Sequence, residues 1–355
     1  METTMAETKL DRETIAAVDK LDQLTDVLAI PEHLRDGLWK VESAGLEEWD
    51  SPGGLVVAGM GVSAQGGALA QAALGDTASR PILAARAYGL PPWTQPDTTV
   101  LCASYSGETE ETLACFEAAG ALGATRVVAT SGGRLARLAR QEGVPVIPVA
   151  GGLQPRAAIA YMTVAALEVA AACGAGPRIA LDIDVAAEHL EQLVTGWGPD
   201  APEESPAKAL ARALHGTVPV IAGAGLTAPI AARWKTQLNE NAKMHAFCGE
   251  LPELDHNEIA GWEGGAGAGR FSAVFLEDDD NHPRIADRIE LTDELISPSA
   301  AGTHRVRSLG TTPIERIFSL VLLGDLVSVY AAVLRGVDPT PVDVVTRLRD
   351  GLAGR

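Results

Sequence analysis

The sequence predicts an α/β protein made of two halves, each built around a largely parallel β-sheet. Along most of the chain, short apolar segments of strand length alternate with helical patterns, which is typical of stacked βα units. A strand–turn–helix pattern also occurs twice: "VVAGMGVSA" at 56–64 matches "VIAGAGLTA" at 220–228 in residue character at every position. The 355 residues exceed the usual size of one hydrophobic core, which also favours two halves.

The first half begins with a helical arm and continues as four βα units. Residues 10–45 predict two amphipathic helices that break around Pro31. The predicted strands are the short apolar segments at 54–59, 81–90, 98–104, 125–133 and 144–152. The predicted helices lie at 63–74, 108–122, 134–143 and 156–173.

The second half follows a stretch rich in glycine, proline and aspartate at 174–206, which marks the domain boundary and contains one predicted helix near 184–195. A strand at 218–225 then leads into a long helix that reaches about His245. Further strands are predicted at 271–277 and 304–309, and helices at 313–335 and from Pro341 onwards. The predicted division is a helical arm (1–45), a first sheet domain (46–175), a linker (176–205), a second sheet domain (206–335) and a C-terminal helix over the cleft (336–355).

Charge and composition predict a cytoplasmic protein without nucleic-acid or membrane partners. The formal net charge of −19 disfavours binding to nucleic acid or to anionic lipid, which require basic surfaces. We expect no segment that is long and uncharged enough to span a bilayer, and the N-terminal residues 1–14 lack the apolar stretch of a signal peptide. The four cysteines form no CxxC pair, which suits a reducing compartment. A small anionic ligand stays possible, because backbone amides can bind a phosphate on an acidic protein.

Two turns with hydroxyl side chains predict a phosphate site. "SYSGET" carries Ser104, Ser106 and Thr109 between a predicted strand and a predicted helix, where unpaired N–H groups favour an anion. The alternative is that Ser106 is only a helix cap and Thr109 a first-turn residue. A second such turn, "GMGVSA" with Gly61 and Ser63, favours the phosphate interpretation, because two turns of a doubly wound sheet can meet at one ligand.

"GMGVSA" also satisfies the G-x-G-x-x-A pattern of dinucleotide-binding proteins. The acidic residue that usually follows the next strand is absent, and Arg86 stands there instead, which would suit NADP rather than NAD. This alternative leaves "SYSGET" unexplained.

The densest polar stretch, residues 237–264, holds candidates for proton transfer. Glu240 ends a helical pattern and His256 follows in "LDHNE". A carboxylate and a histidine beside a sugar-phosphate site suit acid–base chemistry at carbon, although a solvated cluster at a helix end is the alternative. Arg156 precedes a long apolar helix, where it is either a solvated first-turn residue or a group facing a developing enediolate. No HExxH or PCxxC motif indicates zinc.

Seven motifs occur in order: "GMGVSAQGG", "SYSGETEETL", "TSGGRL", "GGLQPRAA", "LNENAKMHAF", "PELDHNEIAGW" and "GDLVSVYAAVLRGVDPTPVDVVTRLR". Together they resemble the bifunctional phosphoglucose/phosphomannose isomerase family, and the resemblance spans nearly the whole chain. It implies two sugar isomerase (SIS) domains that are doubly wound around parallel sheets. It also implies a homodimer, no metal or organic cofactor, and interconversion of glucose 6-phosphate and mannose 6-phosphate with fructose 6-phosphate through a cis-enediolate.

The resemblance also implies roles for single residues. Glu240 would be the base, Arg156 would stabilise the enediolate, and His256, supplied by the neighbouring subunit, would assist ring opening. A threonine near the C-terminus, for which Thr340 is the nearest candidate, would allow both C2 epimers. The substrate phosphate would be held by Ser63, Ser104, Ser106 and Thr109, with Gly61 in the turn.

Three positions depart from the family pattern. Val62 replaces a glycine beside the phosphate turn, and Glu108 replaces an asparagine, which places a negative charge close to the phosphate. Arg349 stands where the family has a lysine that aids ring opening, and arginine is a poorer proton donor. The alternative function is therefore a non-catalytic sugar-phosphate sensor built on the same domains.

Overall fold

The computed structural model describes residues 8–353 of the chain. Residues 1–7, at the start of the predicted helical arm, and residues 354–355, at the end of the predicted C-terminal helix, lie outside the described residues. Within this range two separate parallel sheets pack against a shared set of helices.

The helical arm contains three helices rather than the two predicted. They are α1 (Arg12–Val18), α2 (Gln23–Leu28) and α3 (Ile30–Ser43). The chain does break around Pro31, because α2 ends at Leu28 and α3 begins at Ile30, with Pro31 in the first turn of α3, where its missing N–H has no intrahelical partner to lose. A second break, which was not predicted, separates α1 from α2, where the Asp19 carboxylate accepts hydrogen bonds from the N–H groups of Gln23 (2.9 Å) and Leu24 (2.8 Å).

The first half forms a five-stranded parallel sheet, as the alternating pattern predicts. Its strands are β1 (Leu55–Ala58), β2 (Ile82–Ala85), β3 (Thr99–Ala103), β4 (Thr125–Thr130) and β5 (Val146–Pro148). Its helices are α4 (Val62–Leu74), α5 (Glu110–Leu122), α6 (Gly133–Gln141) and α7 (Ile159–Ala172).

The strand order of this sheet is β2-β1-β3-β4-β5, so the direction of the chain connections reverses between β1 and β3. These two strands are direct neighbours, with Ala58 opposite Cys102 at their carboxyl ends. Doubly wound sheets bind their ligands in the crevice at such a switch point. The fold therefore brings together the two loops that follow β1 and β3.

Up to residue 353, the second half contains a four-stranded parallel sheet and seven α-helices. The strands are β6 (Val218–Gly223), β7 (Phe247–Glu250), β8 (Phe271–Glu277) and β9 (Gly302–Arg307). The helices are α8 (Ala180–Trp197), α9 (Pro206–Leu214), α10 (Ala228–Glu240), α11 (Gly265–Ala268), α12 (Pro283–Ile296), α13 (Pro313–Leu334) and α14 (Asp343–Ala353). Two differences from the prediction matter for the site: α10 ends at Glu240 rather than near His245, and β7 follows it.

The two sheets share one topology over their first four strands, which supports the predicted duplication. The second sheet has the order β7-β6-β8-β9, the same order as β2-β1-β3-β4 in the first sheet. The matched turns also agree in backbone conformation, because Gly61 and Gly225 both have φ of 52°. A positive φ of this size favours glycine, which explains the residue type at both positions.

Helix α13 is the centre of the molecule. An 18-residue window of this helix has a mean hydropathy of 2.2, so by length and composition α13 could cross a membrane, contrary to the expectation that no segment could. The same window is 94% buried, since α13 packs against α2, α8, α9 and α10. Its apolar composition is thus that of a core helix between the two halves.

Candidate active site

The first loop of the candidate site links β1 to α4. Gly61 is exposed and precedes the helix, and Ser63 lies in the first helical turn with 2% of its surface exposed. Val62, the first of the three departures, is only 9% exposed and belongs to the main hydrophobic core. Its branched side chain is therefore accommodated among apolar residues.

The second loop, residues 104–109, is held by its own hydroxyl groups. The hydroxyl of Ser104 lies 2.8 Å from that of Thr109 and accepts a hydrogen bond from the N–H of Gly107 (3.1 Å). Ser106 is exposed, and its hydroxyl accepts from the N–H of Glu108 (3.2 Å). Thr109, rather than Ser106, occupies the N-cap position of α5 and makes no side-chain capping bond, so the alternative in which Ser106 caps the helix and Thr109 lies in its first turn is wrong.

Glu108, the second departure from the family pattern, is hydrogen-bonded to a neighbouring helix. Its carboxylate accepts a hydrogen bond from the N–H of Arg134 (2.8 Å) in the first turn of α6, and the N–H of Leu135 bonds to the carbonyl of Gly107 (2.9 Å). The partial positive charge at the start of α6 stabilises this carboxylate. The close fit requires glycine at 107, where a Cβ would lie 2.0 Å from the carbonyl oxygen of Gly132.

Arg156 is buried and fixed by three acceptors. Only 4% of its side chain is exposed, so it is not the solvated first-turn residue that the sequence also allowed. Its Nε donates to Asn241 Oδ1 (2.6 Å), and one terminal nitrogen donates to the carbonyls of Pro339 and Thr340 (both 2.8 Å). The other terminal nitrogen lies 3.7 Å from the carboxylate of Glu240.

Glu240 ends α10 and is the accessible member of this pair, with 40% of its side chain exposed. It lines a cleft of about 650 Å³ together with residues of the turn before α14 and of the start of that helix. The Glu240 carboxylate is thus open to a ligand on one side, and the buried guanidinium of Arg156 lies on its other side. Burial lowers the pKa of Arg156, and the nearby Glu240 opposes that shift.

Two further contacts connect this pair with the rest of the site. Tyr105, inside the loop at 104–109, accepts a hydrogen bond at its hydroxyl from the N–H of Leu153 (2.8 Å), just before Arg156. Behind the site, the fully buried Arg233 pairs with Asp325 and donates to the backbone carbonyl of Arg156 (3.1 Å).

The structure does not bring all predicted residues together. His256 is exposed at the end of a short 3-10 helix (Glu253–His256) after β7, and no hydrogen bond joins it to Arg156 or Glu240 among residues 8–353. Arg349, the third departure, lies exposed on α14, beyond the residues of that helix that line the cleft. Thr340 lies next to Arg156, because its carbonyl accepts a hydrogen bond from that guanidinium. The buried hydroxyl of Thr340 has no hydrogen-bond partner within the described residues.

Asn241 and Lys243 were not predicted as site residues, although both lie in the same polar stretch as Glu240. Asn241 joins Arg156 to α13, because its amide nitrogen donates to Ser328 Oγ (2.8 Å). Lys243 donates to backbone carbonyls on both sides of the cleft.

No cluster of three potential metal ligands occurs in the described part of the chain. Burial raises the pKa of all four cysteine thiols, Cys102, Cys115, Cys173 and Cys248.

Comparison with known proteins identifies the family. Residues 203–352 match the model of the bacterial phospho-glucose isomerase C-terminal SIS domain. A bifunctional phosphoglucose/phosphomannose isomerase of Caldicellulosiruptor bescii is 38% identical over 302 residues, which cover 84% of this chain and 89% of that protein. This chain belongs to the bifunctional phosphoglucose/phosphomannose isomerase family. A second family member, from Aquifex aeolicus, is 33% identical over 84% of this chain and 90% of its own length.

Solved structures confirm the fold class expected for this isomerase family. A glucose-6-phosphate isomerase like protein from Thermus thermophilus superposes with a TM-score of 0.62, covering 96% of this chain and 99% of the other at 20% identity. Phosphosugar isomerase folds of this kind carry the same α/β architecture, so the prediction of two SIS-type parallel-sheet domains is confirmed as a fold.

Proposed function

We propose that the protein is a sugar-phosphate isomerase that interconverts glucose 6-phosphate and mannose 6-phosphate with fructose 6-phosphate. Membership of the isomerase family supports the reaction class. The observation that carries the assignment to this cleft is the pair of Glu240 and Arg156, a solvent-accessible carboxylate 3.7 Å from a buried, fixed guanidinium. The loop at 104–109 contacts the segment just before Arg156 through Tyr105 and Leu153, which supports a phosphate site next to this pair.

In the proposed reaction the phosphate is held by the loops after β1 and β3, through Ser63, Ser104, Ser106 and Thr109. Glu240 removes the proton from C2 of the open-chain aldose and returns it to C1, through a cis-enediolate. The free terminal nitrogen of Arg156 faces the Glu240 carboxylate, where it stabilises the negative charge that develops on the enediolate oxygens. The remaining donors of Arg156 are occupied by the protein, so this orientation is fixed before the substrate arrives.

Ring opening requires a proton donor near the sugar ring, and we assign this role to His256 of a second subunit in a homodimer. The exposure of His256 and its separation from Glu240 within one chain support an assignment between subunits. We expect Arg349 to contribute less to ring opening, because it lies about one turn beyond the residues of α14 that line the cleft. We assign to the buried hydroxyl of Thr340, which has no partner among residues 8–353, the binding of a sugar hydroxyl, which would permit both C2 epimers.

Glu240→Gln tests the function directly. We expect kcat to fall by about 10²–10⁴-fold with either sugar, the usual contribution of a general base, while fructose 6-phosphate still raises the melting temperature. The assay follows fructose 6-phosphate formation in the presence of a metal chelator. Glu188→Gln on α8 is the matched control, because this glutamate is exposed and makes no ion pair among the described residues.

Each outcome separates the candidate functions. Near wild-type turnover in Glu240→Gln would remove Glu240 from the role of base. Binding of fructose 6-phosphate without turnover in the wild type would establish the sensor instead. Thermal stabilisation by NADPH would favour the dinucleotide interpretation of "GMGVSA".

A further inference from the structure

Lys243 makes an unusual set of contacts immediately after α10. Its backbone lies in the left-handed region (φ of 50°), which a residue other than glycine rarely adopts. Its ammonium donates to the carbonyls of Glu240 (2.8 Å), Asp338 (2.9 Å) and Pro339 (2.9 Å), and lies 3.4 Å from that of Asn241. An ammonium has three donors, so these close contacts use its full capacity.

These carbonyls belong to two different walls of the cleft. Glu240 is the last residue of α10, whereas Asp338 and Pro339 form the turn that leads to Thr340. A lysine that only capped the helix would bind the carbonyls of α10 alone. Lys243 instead connects the helix end to the turn.

The turn held by Lys243 is the same turn that holds Arg156. The carbonyl of Pro339 accepts from both Lys243 and Arg156, and the carbonyl of Thr340 accepts from Arg156 as well. The turn is closed internally by a hydrogen bond from the N–H of Thr340 to the Asp338 carboxylate (2.9 Å). The position of the Thr340 side chain thus depends on two cations, of which only Lys243 also binds the Glu240 backbone.

In this turn, the hydroxyl of Thr340 is the group that can still form a hydrogen bond with a ligand. Only 2% of the residue is exposed, and its hydroxyl has no partner among residues 8–353. A buried hydroxyl without a partner is costly, which is consistent with a partner supplied by a ligand. Burial, and then the nearby Arg156, lower the pKa of Lys243, in agreement with two cations that share one group of carbonyls.

We propose that Lys243 is a positioning residue that sets the relative activity on the two C2 epimers, because it fixes the Thr340 turn with respect to Glu240. This inference rests on the proposed function, in which Thr340 binds a sugar hydroxyl near C2. Lys243 itself does not touch the substrate.

Lys243→Met tests this proposal, because it keeps the length of the side chain and removes the three donors. We expect the ratio of kcat for mannose 6-phosphate to kcat for glucose 6-phosphate to fall by about fivefold or more, as expected when one hydrogen-bonding group is misplaced. The ratio is the decisive measurement, because partial unfolding lowers both rates equally and leaves the ratio unchanged. Lys235→Met, on the same helix and without a hydrogen bond in the described structure, is the matched control.

Lys243→Arg provides the second variant. It keeps the charge but not the geometry of three converging donors, and we expect it to restore only part of the ratio. If Lys243→Met fails to fold, a lowered ratio in Lys243→Arg supports the proposal. A ratio within twofold of the wild type in the folded variants, or a shift in favour of mannose 6-phosphate, would overturn it. Absence of turnover of both sugars in the wild type would instead overturn the proposed function.

Discussion

Glu108 shows how one residue can depart from a family pattern and still keep its place in a loop. A carboxylate beside a phosphate would repel it, yet this carboxylate accepts a hydrogen bond from the N–H of Arg134 at the start of α6. An asparagine at this position offers an amide oxygen, an acceptor of the same kind on a side chain one methylene shorter. The departure therefore keeps a hydrogen-bond acceptor, although not its charge.

We expect Glu108→Asn to keep the stability of the wild type within a few tenths of a kcal/mol, and Glu108→Leu to lose about 1 kcal/mol, the usual cost of removing a helix cap. Thermal and urea unfolding measure both effects. Glu204→Leu serves as control, because that glutamate is exposed and has no recorded hydrogen bond among residues 8–353. Equal losses in the two Glu108 variants would contradict a capping role.

The sequence indicates Glu240 and Arg156 as candidates, because Glu240 ends a helical pattern and Arg156 precedes a long apolar helix, and their roles stay predictions. Their structural environment could not be predicted. Arg156 is fixed by carbonyls at 339 and 340, which lie more than 180 positions away in the sequence. Contacts of this separation depend on how α13 packs, and no local pattern encodes them.

At the level of secondary structure, most strands and helices were predictable, whereas β7 and α12 were not. Strand β7 consists of four residues, "FCGE", at the edge of its sheet, too short to show an alternating pattern. Helix α12 is largely charged and buries only three residues, so its apolar stripe is narrow. Strand β7 takes its conformation from the sheet beside it rather than from an intrinsic preference.

Packing between α10 and α13 depends on a glycine. A Cβ at Gly324 would lie 2.1 Å from Trp234 Nε1, which donates to the carbonyl of Leu320 (2.8 Å). We expect Gly324→Ala to destabilise the protein by about 1–3 kcal/mol through overpacking, measured by urea unfolding. Gly351→Ala in α14 is the control, since nothing lies within 4 Å of its Cβ position; a loss as large there would argue against the packing explanation.

At the level of the whole molecule, the placement of His256 makes a prediction about subunits. Coexpressed Glu240→Gln and His256→Ala chains would form mixed dimers in which one site combines an intact Glu240 with the partner's intact His256. We expect the mixture to recover roughly a quarter of wild-type activity, because half of randomly assorted dimers are mixed and each has one complete site of two.

Each variant expressed alone gives the baseline for this experiment. Activity of the coexpressed mixture no higher than the mean of the two parents would show that Glu240 and His256 act within one chain. Separation of mixed dimers by two different affinity tags would then confirm that exchange had taken place.

The position of α13 also has a consequence for synthesis on the ribosome. This helix packs against α1, α2 and α4 as well as against the second half, although it begins at Pro313 and α1 begins at Arg12. The apolar faces that it covers on those earlier helices are therefore complete long before their cover is translated. We expect nascent chains of this protein to expose those faces until α13 emerges, and chaperones at the exit tunnel to bind them.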